Sequence, residues 1–193
     1  MKTLFNCACL LSLALVLSYC AAPTKKSDTQ EAEESVPTYK IVEGHAPVWT
    51  EVISQMMELA DAMPEDQYNY KPHDSVRSFA EQLVHIGGAS KVISNMFLKD
   101  VKPDGPPPAV DVSGMSKDDI KNMVKTSLEE TWEIMKGMSD QQLLDEETQS
   151  FSGNKMSRLE GMLLVHDHLS NHKAKLNLYV RLSGNEPPRY RYY

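Results

Sequence analysis

Apolar residues recur every three to four positions in four separate stretches of the chain, with polar residues between them. That period marks helices that bury one face. In the first stretch Val48, Val52, Met56, Leu59 and Ala60 form the stripe, and Pro47 suits the opening turn. Met63-Pro64 ends it, because the residue before a proline is driven out of the α region. The second opens on Ser78-Phe79-Ala80-Glu81, the Ser-x-x-Glu spacing of a capping box. It continues through Phe79, Leu83, Ile86 and Ile93 to about Phe97 or Leu98. Ser116 with Asp119 caps the third, whose series is Ile120, Met123, Val124, Leu128, Trp132 and Met135 up to Gly137. The fourth starts from the capping box of Ser157 and Glu160 and carries Leu159, Met162, Leu163, Val165, Leu169, Leu176 and Val180. Gly184 closes it ahead of Pro187-Pro188. The expected helices span 47–63, 78–98, 116–137 and 157–183.

Between these stretches the chain is polar or rich in proline. From Pro64 to Pro72, Tyr68 and Tyr70 alternate with polar residues, which fits a short extended stretch. Lys99 to Ser113 is a long loop stiffened by Pro106-Pro107-Pro108, and Ser139 to Asn154 is a polar connector anchored by Phe151. No strand pair and no internal repeat stands out. The expected fold is an all-α four-helix bundle with a long crossover connection. Gly87-Gly88 interrupts the second helix at about 1 kcal/mol per glycine against alanine. The use of such a pair is close approach of another helix or of a ligand.

Residues 1–20 stand outside that domain. Met1-Lys2 gives a positive start, Leu4 to Leu17 is largely apolar, and the run ends at Leu17-Ser18-Tyr19-Cys20. This is the layout of a signal peptide. A cysteine at its end reads as a lipobox, in which Cys20 is lipidated and becomes the first residue of the mature chain. Cleavage near Ala21-Ala22, giving a soluble periplasmic protein, is the alternative. Residues 21–40 are expected as a flexible linker, because Ala21 to Val36 is rich in Ser, Thr, Lys and Glu with little to bury. Residues 41–193 form the globular domain. Cys7, Cys9 and Cys20 are the three cysteines, so the mature domain has no thiol for a disulfide, a zinc–thiolate site or a cysteine nucleophile. With 193 residues and a formal net charge of -7, the chain suits one domain and offers no basic surface for nucleic acid. The expected location is the cell envelope, with the membrane reached through the lipid anchor.

The histidines bring in candidate chemistry. His168 and His172 lie four residues apart on the fourth helix, which stacks two imidazoles on one face within reach of one divalent cation. His85 sits mid-way along the second helix between the core positions Leu83 and Ile86. A lone histidine there is usually a satisfied core residue. Facing the pair on the fourth helix, it makes a three-histidine set with positions open for water or substrate. His166, two residues before His168, points to another side of the helix. His45 and His73 fall in expected loops and are expected to be solvated. Glu81, one turn before His85, belongs to its capping box rather than to the site. No catalytic residue is assigned.

The connector Met63-Pro64-Glu65-Asp66-Gln67-Tyr68 with Lys71-Pro72, the run Ser78-Phe79-Ala80-Glu81-Gln82-Leu83-Val84-His85-Ile86, and His168-x-x-x-His172 followed by Leu176, Tyr179-Val180-Arg181, Gly184 and Pro187-Pro188 make a joint pattern. Over about Pro47 to Pro188 it resembles the DinB-like family, also called DinB/YfiT-like. The resemblance implies a divalent metal, zinc or nickel, held by His85, His168 and His172. It implies a metal-dependent enzyme with hydrolase-like or thiol-transferase-like chemistry on an unidentified small-molecule substrate. Export weighs against low-molecular-weight thiols, which are cytosolic. The alternative is a non-catalytic, envelope-anchored binding module with a structural or vestigial metal site. A homodimer is the assembly to test. The family often carries Arg-Gly-Gln after the last histidine, where this chain has Lys173-Ala174-Lys175. Lys175 can lean toward the metal face, either weakening metal binding or attracting an anionic substrate.

Overall fold

The computed structural model describes residues 40–105 and 109–192. The expected signal peptide, the lipidation site Cys20, the linker as far as residue 39 and Pro106-Pro107-Pro108 lie outside the described residues. The elements are α1 (Ile41–Ala62), a short 3₁₀ turn (Glu65–Gln67), α2 (Phe79–Lys99), α3 (Lys117–Lys136), α4 (Asp140–Asp145), β1 (Glu147–Gln149), β2 (Lys155–Ser157) and α5 (Arg158–Leu182). The four long helices form the expected bundle. Both α1 and α2 pack against α3 and α5, so α1 and α2 stand at opposite corners of the bundle. Trp49, Met56 and Leu59 of α1, Phe79, Leu83, Ile86 and Phe97 of α2, Ile120 and Leu128 of α3, and Leu169 and Leu176 of α5 are fully buried at its centre. Among the described residues no helix is long and apolar enough to cross a membrane.

The three capping boxes expected from sequence are formed, with each serine accepting the N3 backbone N–H and each acid accepting the serine's own N–H. A fourth box, Ser139 with Gln142, starts the short α4 inside what reads as a plain connector. The chain then forms a hairpin that periodicity does not reveal, pairing Glu147 with Ser157, Thr148 with Met156 and Gln149 with Lys155. Three-residue strands are too short to show an alternation, so the expectation of no strand pair fails here. Phe151, at the hairpin turn, meets the Phe97 ring edge-on at 5.0 Å but stays 70% exposed, so it anchors less than expected. The Tyr68–Tyr70 stretch is a turn, not extended, and the Tyr68 hydroxyl donates to the Ala60 carbonyl at 2.8 Å. Met123 and Leu163, counted in the apolar stripes, lie at their exposed margins.

α1 begins six residues before the expected start at Pro47. Pro47 is tolerated inside the helix because tertiary contacts hold the preceding turn. Ile41 and Val42 pack on the core, and the Ile41 N–H donates to the Asp140 carboxylate at 3.1 Å.

Glycines set how closely the helices approach. A Cβ at Gly87 would meet Val124 Cα of α3 at 3.3 Å, whereas one at Gly88 would meet nothing. Of the pair, only Gly87 serves helix contact. At Gly161, near the start of α5, a Cβ would sit 2.7 Å from the Phe97 Cβ of α2. Gly161→Ala should therefore lower the unfolding free energy by about 1–3 kcal/mol. Gly88→Ala should raise it by roughly 0.5–1 kcal/mol. Urea denaturation of the two variants checks both signs.

Candidate metal centre

Close packing of α2 on α5 decides what the histidines can do. His85 lies two turns into α2 and meets His168 and His172 across the interface. Ring centroids are 5.4 Å apart for His85 and His168, 4.7 Å for His85 and His172, and 4.4 Å for His168 and His172. One nitrogen from each ring lies within 4.8 Å of the others. Among the described residues no other group of three or more His, Cys, Asp or Glu side chains converges in this way.

The surroundings keep the three rings neutral. Burial is the first cause in each case, pushing His168 down to about 4, His172 down to about 3, and His85 below its ordinary value. The neighbouring imidazoles and the cations Lys175 and Arg77 push His168 and His172 the same way, and the two cations also act on His85. Asp167 opposes them only at His168. A neutral imidazole carries the lone pair a metal needs. Nδ1 of His168 is buried without a hydrogen-bond partner among the described residues, a donor the protein itself leaves open. The set therefore fits a divalent cation with further coordination positions free. The DinB family profile matches residues 45–193.

The chain belongs to the DinB family.

The uncharacterized protein YjoA of Bacillus subtilis (strain 168) is 29% identical over 129 residues, which cover 66% of this chain and 81% of YjoA. The crystal structure of that DinB-like protein matches with a TM-score of 0.59 and 26% identity, over 77% of this chain and 98% of the other. A DinB-like protein from Bacillus cereus ATCC 10987 matches with a TM-score of 0.65 over 79% of this chain and 98% of its own, and at 18% identity it speaks to the fold alone.

The other histidines of this DinB protein sit elsewhere. His73 is exposed and bonds Ser75. His166 faces away from the triad, as its position predicts. His45 corrects the sequence reading: the longer α1 takes it out of the expected loop and half-buries it. Its ring lies 5.3 Å from His166, 6.1 Å from Trp49 and 6.5 Å from Trp132. Glu81 keeps to its capping box and an ion pair with Lys71 at 3.4 Å.

Two residues at the site escape a search for ligands. The Gln82 carboxamide, buried on α2 three residues before His85, contacts Nδ1 of His172. The amide nitrogen is the atom placed at Nδ1; turned over, so that its oxygen accepts from Nδ1–H, the same carboxamide leaves Nε2 of His172 as the ligand atom. Its spacing from His85 put it on the same helix face, and that was the available signal. Arg77 immediately precedes the Ser78 cap of α2, and its carbonyl accepts the Tyr179 hydroxyl at 3.1 Å. Gln82→Leu keeps the size and loses the polar contact, so metal affinity should fall about 10–100-fold. Competition with a chromogenic chelator measures it.

Proposed function

We propose that this DinB-family chain is a divalent-metal-dependent enzyme of the cell envelope, with hydrolase-like or thiol-transferase-like chemistry on a small molecule. The observation that carries the reading is the convergence of His85, His168 and His172, all held neutral, from two adjacent helices. These three would hold the ion, with zinc and nickel the first candidates. Such an ion supplies Lewis acidity that lowers the pKa of a water or thiol brought to it. The residues around it do the rest. Gln82 fixes the orientation of His172, and the α2–α5 contact fixes the spacing of the rings. His85 and His168 are only partly covered, which leaves the site open to a small molecule.

The test is metal content of protein purified without a histidine tag, followed by a screen of esters, amides and thiols with the metal-loaded form. Bound metal without turnover favours the alternative, a non-catalytic binding module. Absence of bound metal after incubation with zinc or nickel overturns the enzyme reading. Sedimentation velocity distinguishes a monomer from a homodimer.

The envelope location rests on the leader and Cys20 alone. Stable attachment needs more than one acyl chain, which bacterial lipoproteins of this type carry. Cys20→Ala should move the protein from the membrane fraction to the soluble fraction. Identical soluble fractionation of mutant and wild type would count against the lipobox.

A further inference from the structure

We propose that the three-histidine site takes a small oxyanion-bearing ligand, a carboxylate or a phosphate, held by Arg77 and Lys175. The inference rests on the reading of the triad as the functional site and names the ligand class for it.

Lys175 follows His172 by three residues and His168 by seven, which continues the same stripe of α5. Arg77 comes from the facing element, just before α2 begins, and the Tyr179 hydroxyl of α5 donates to its backbone carbonyl. Tyr179 lies one turn beyond Lys175, so the two cations stand on the same side of the triad along α5.

The chain as a whole is acidic, with 27 Asp and Glu against 20 Lys and Arg. Several of its other cations have found acids: Lys71 pairs with Glu81, Lys91 with Glu130, and Arg158 with both Asp100 and Glu146. Among the described residues the side chains of Arg77 and Lys175 make no ion pair and no hydrogen bond, and both are exposed. Their fields nevertheless reach all three histidines. The nearby acids do not answer them. Glu81 is held by its capping box and Lys71, and Asp167 acts on His168 but on neither His85 nor His172.

Three neutral imidazoles bring no negative charge to a divalent cation, so the site with its two unpaired cations is strongly positive. A ligand that complements it brings the missing negative charge. The guanidinium of Arg77 offers paired N–H donors that match two oxygens of a carboxylate or phosphate, and Lys175 adds a point charge. An uncharged ester or amide would leave both cations unanswered.

The test uses the full chain loaded with cobalt(II), whose visible spectrum reports on its ligands. Succinate, inorganic phosphate and the neutral analogue succinamide are titrated in low salt, and heats are measured in parallel. Succinate or phosphate should bind and succinamide should not. Arg77→Gln and Lys175→Gln should each weaken binding about tenfold, with cobalt stoichiometry unchanged, and Lys175→Arg should restore it. Preference for phosphate assigns a phosphate ester, and preference for succinate assigns a carboxylic acid; either supports the oxyanion site. Equal affinity of the wild type and the Arg77→Gln, Lys175→Gln double variant overturns it, as does equal binding of succinamide. Failure of the wild type to hold cobalt defeats the metal reading separately. Calorimetry on the metal-free chain then decides the oxyanion site by the same comparison of variants.

Discussion

His85→Ala, His168→Ala and His172→Ala should each strip most of the metal from the protein, while His166→Ala should leave it bound. A site with few ligands depends heavily on each one. Closed four-ligand zinc sites bind with roughly 10–16 kcal/mol, or about 2.5–4 kcal/mol per ligand, so losing one ligand costs on the order of a hundredfold in affinity. The fold should tolerate the changes, because the bundle is held by Phe79, Leu83, Ile86, Leu169, Leu176 and their neighbours. Metal analysis of untagged protein after dialysis, with circular dichroism as the control for folding, decides the outcome. His166 is the informative comparison. It is two residues from His168 and half-buried, and its ring packs against His45 rather than the triad. Metal that leaves with His166→Ala and survives His85→Ala would place the site on the α1 side of α5 and end the triad reading.

The bundle was legible because its signals are local. Ser78, Ser116 and Ser157 announce helix starts through a hydrogen bond three residues away, and the apolar stripes report a period set by helix geometry. The pairing of His168 with His172 was legible for the same reason. Features that depend on tertiary contacts were not. Pro47 argued for a helix start, but Ile41 and Val42 pack on the core and carry α1 six residues further back. That error also misplaced His45. The β1–β2 hairpin has too few residues per strand to show a period. Gln82 carried only the weak signal of its spacing from His85, and its contact with His172 exists only where α2 lies against α5; the same packing brings the Arg77 backbone to Tyr179.

Acid should release the metal later than free imidazole chemistry suggests. Each ligand must be deprotonated to bind, so a solvated set would begin to lose metal near its ordinary pKa of 6.5. Here burial holds His168 at about 4 and His172 at about 3, and His85 is lowered as well. Protons therefore compete poorly at His168 and His172 until the pH approaches those values, and at His85 the competition begins below the ordinary 6.5. Affinity should hold as the pH falls to the ordinary imidazole value of 6.5 and drop only below it, by up to about tenfold per pH unit for each proton displaced. The same shifts act on the metal-free fold. Between the folded values and 6.5 the unfolded chain binds more protons than the folded one, so stability rises with pH across that window. The contribution is fully present above about 6.5 and is lost as the pH falls toward 4 and 3. The thermal midpoint of metal-free protein should drop over that range, and a His168→Gln, His172→Gln double variant should drop less. A steep loss of metal affinity between about pH 7 and about pH 6 would mean that the rings titrate as solvated groups. In that case the desolvated packing of α2 on α5 around them is wrong.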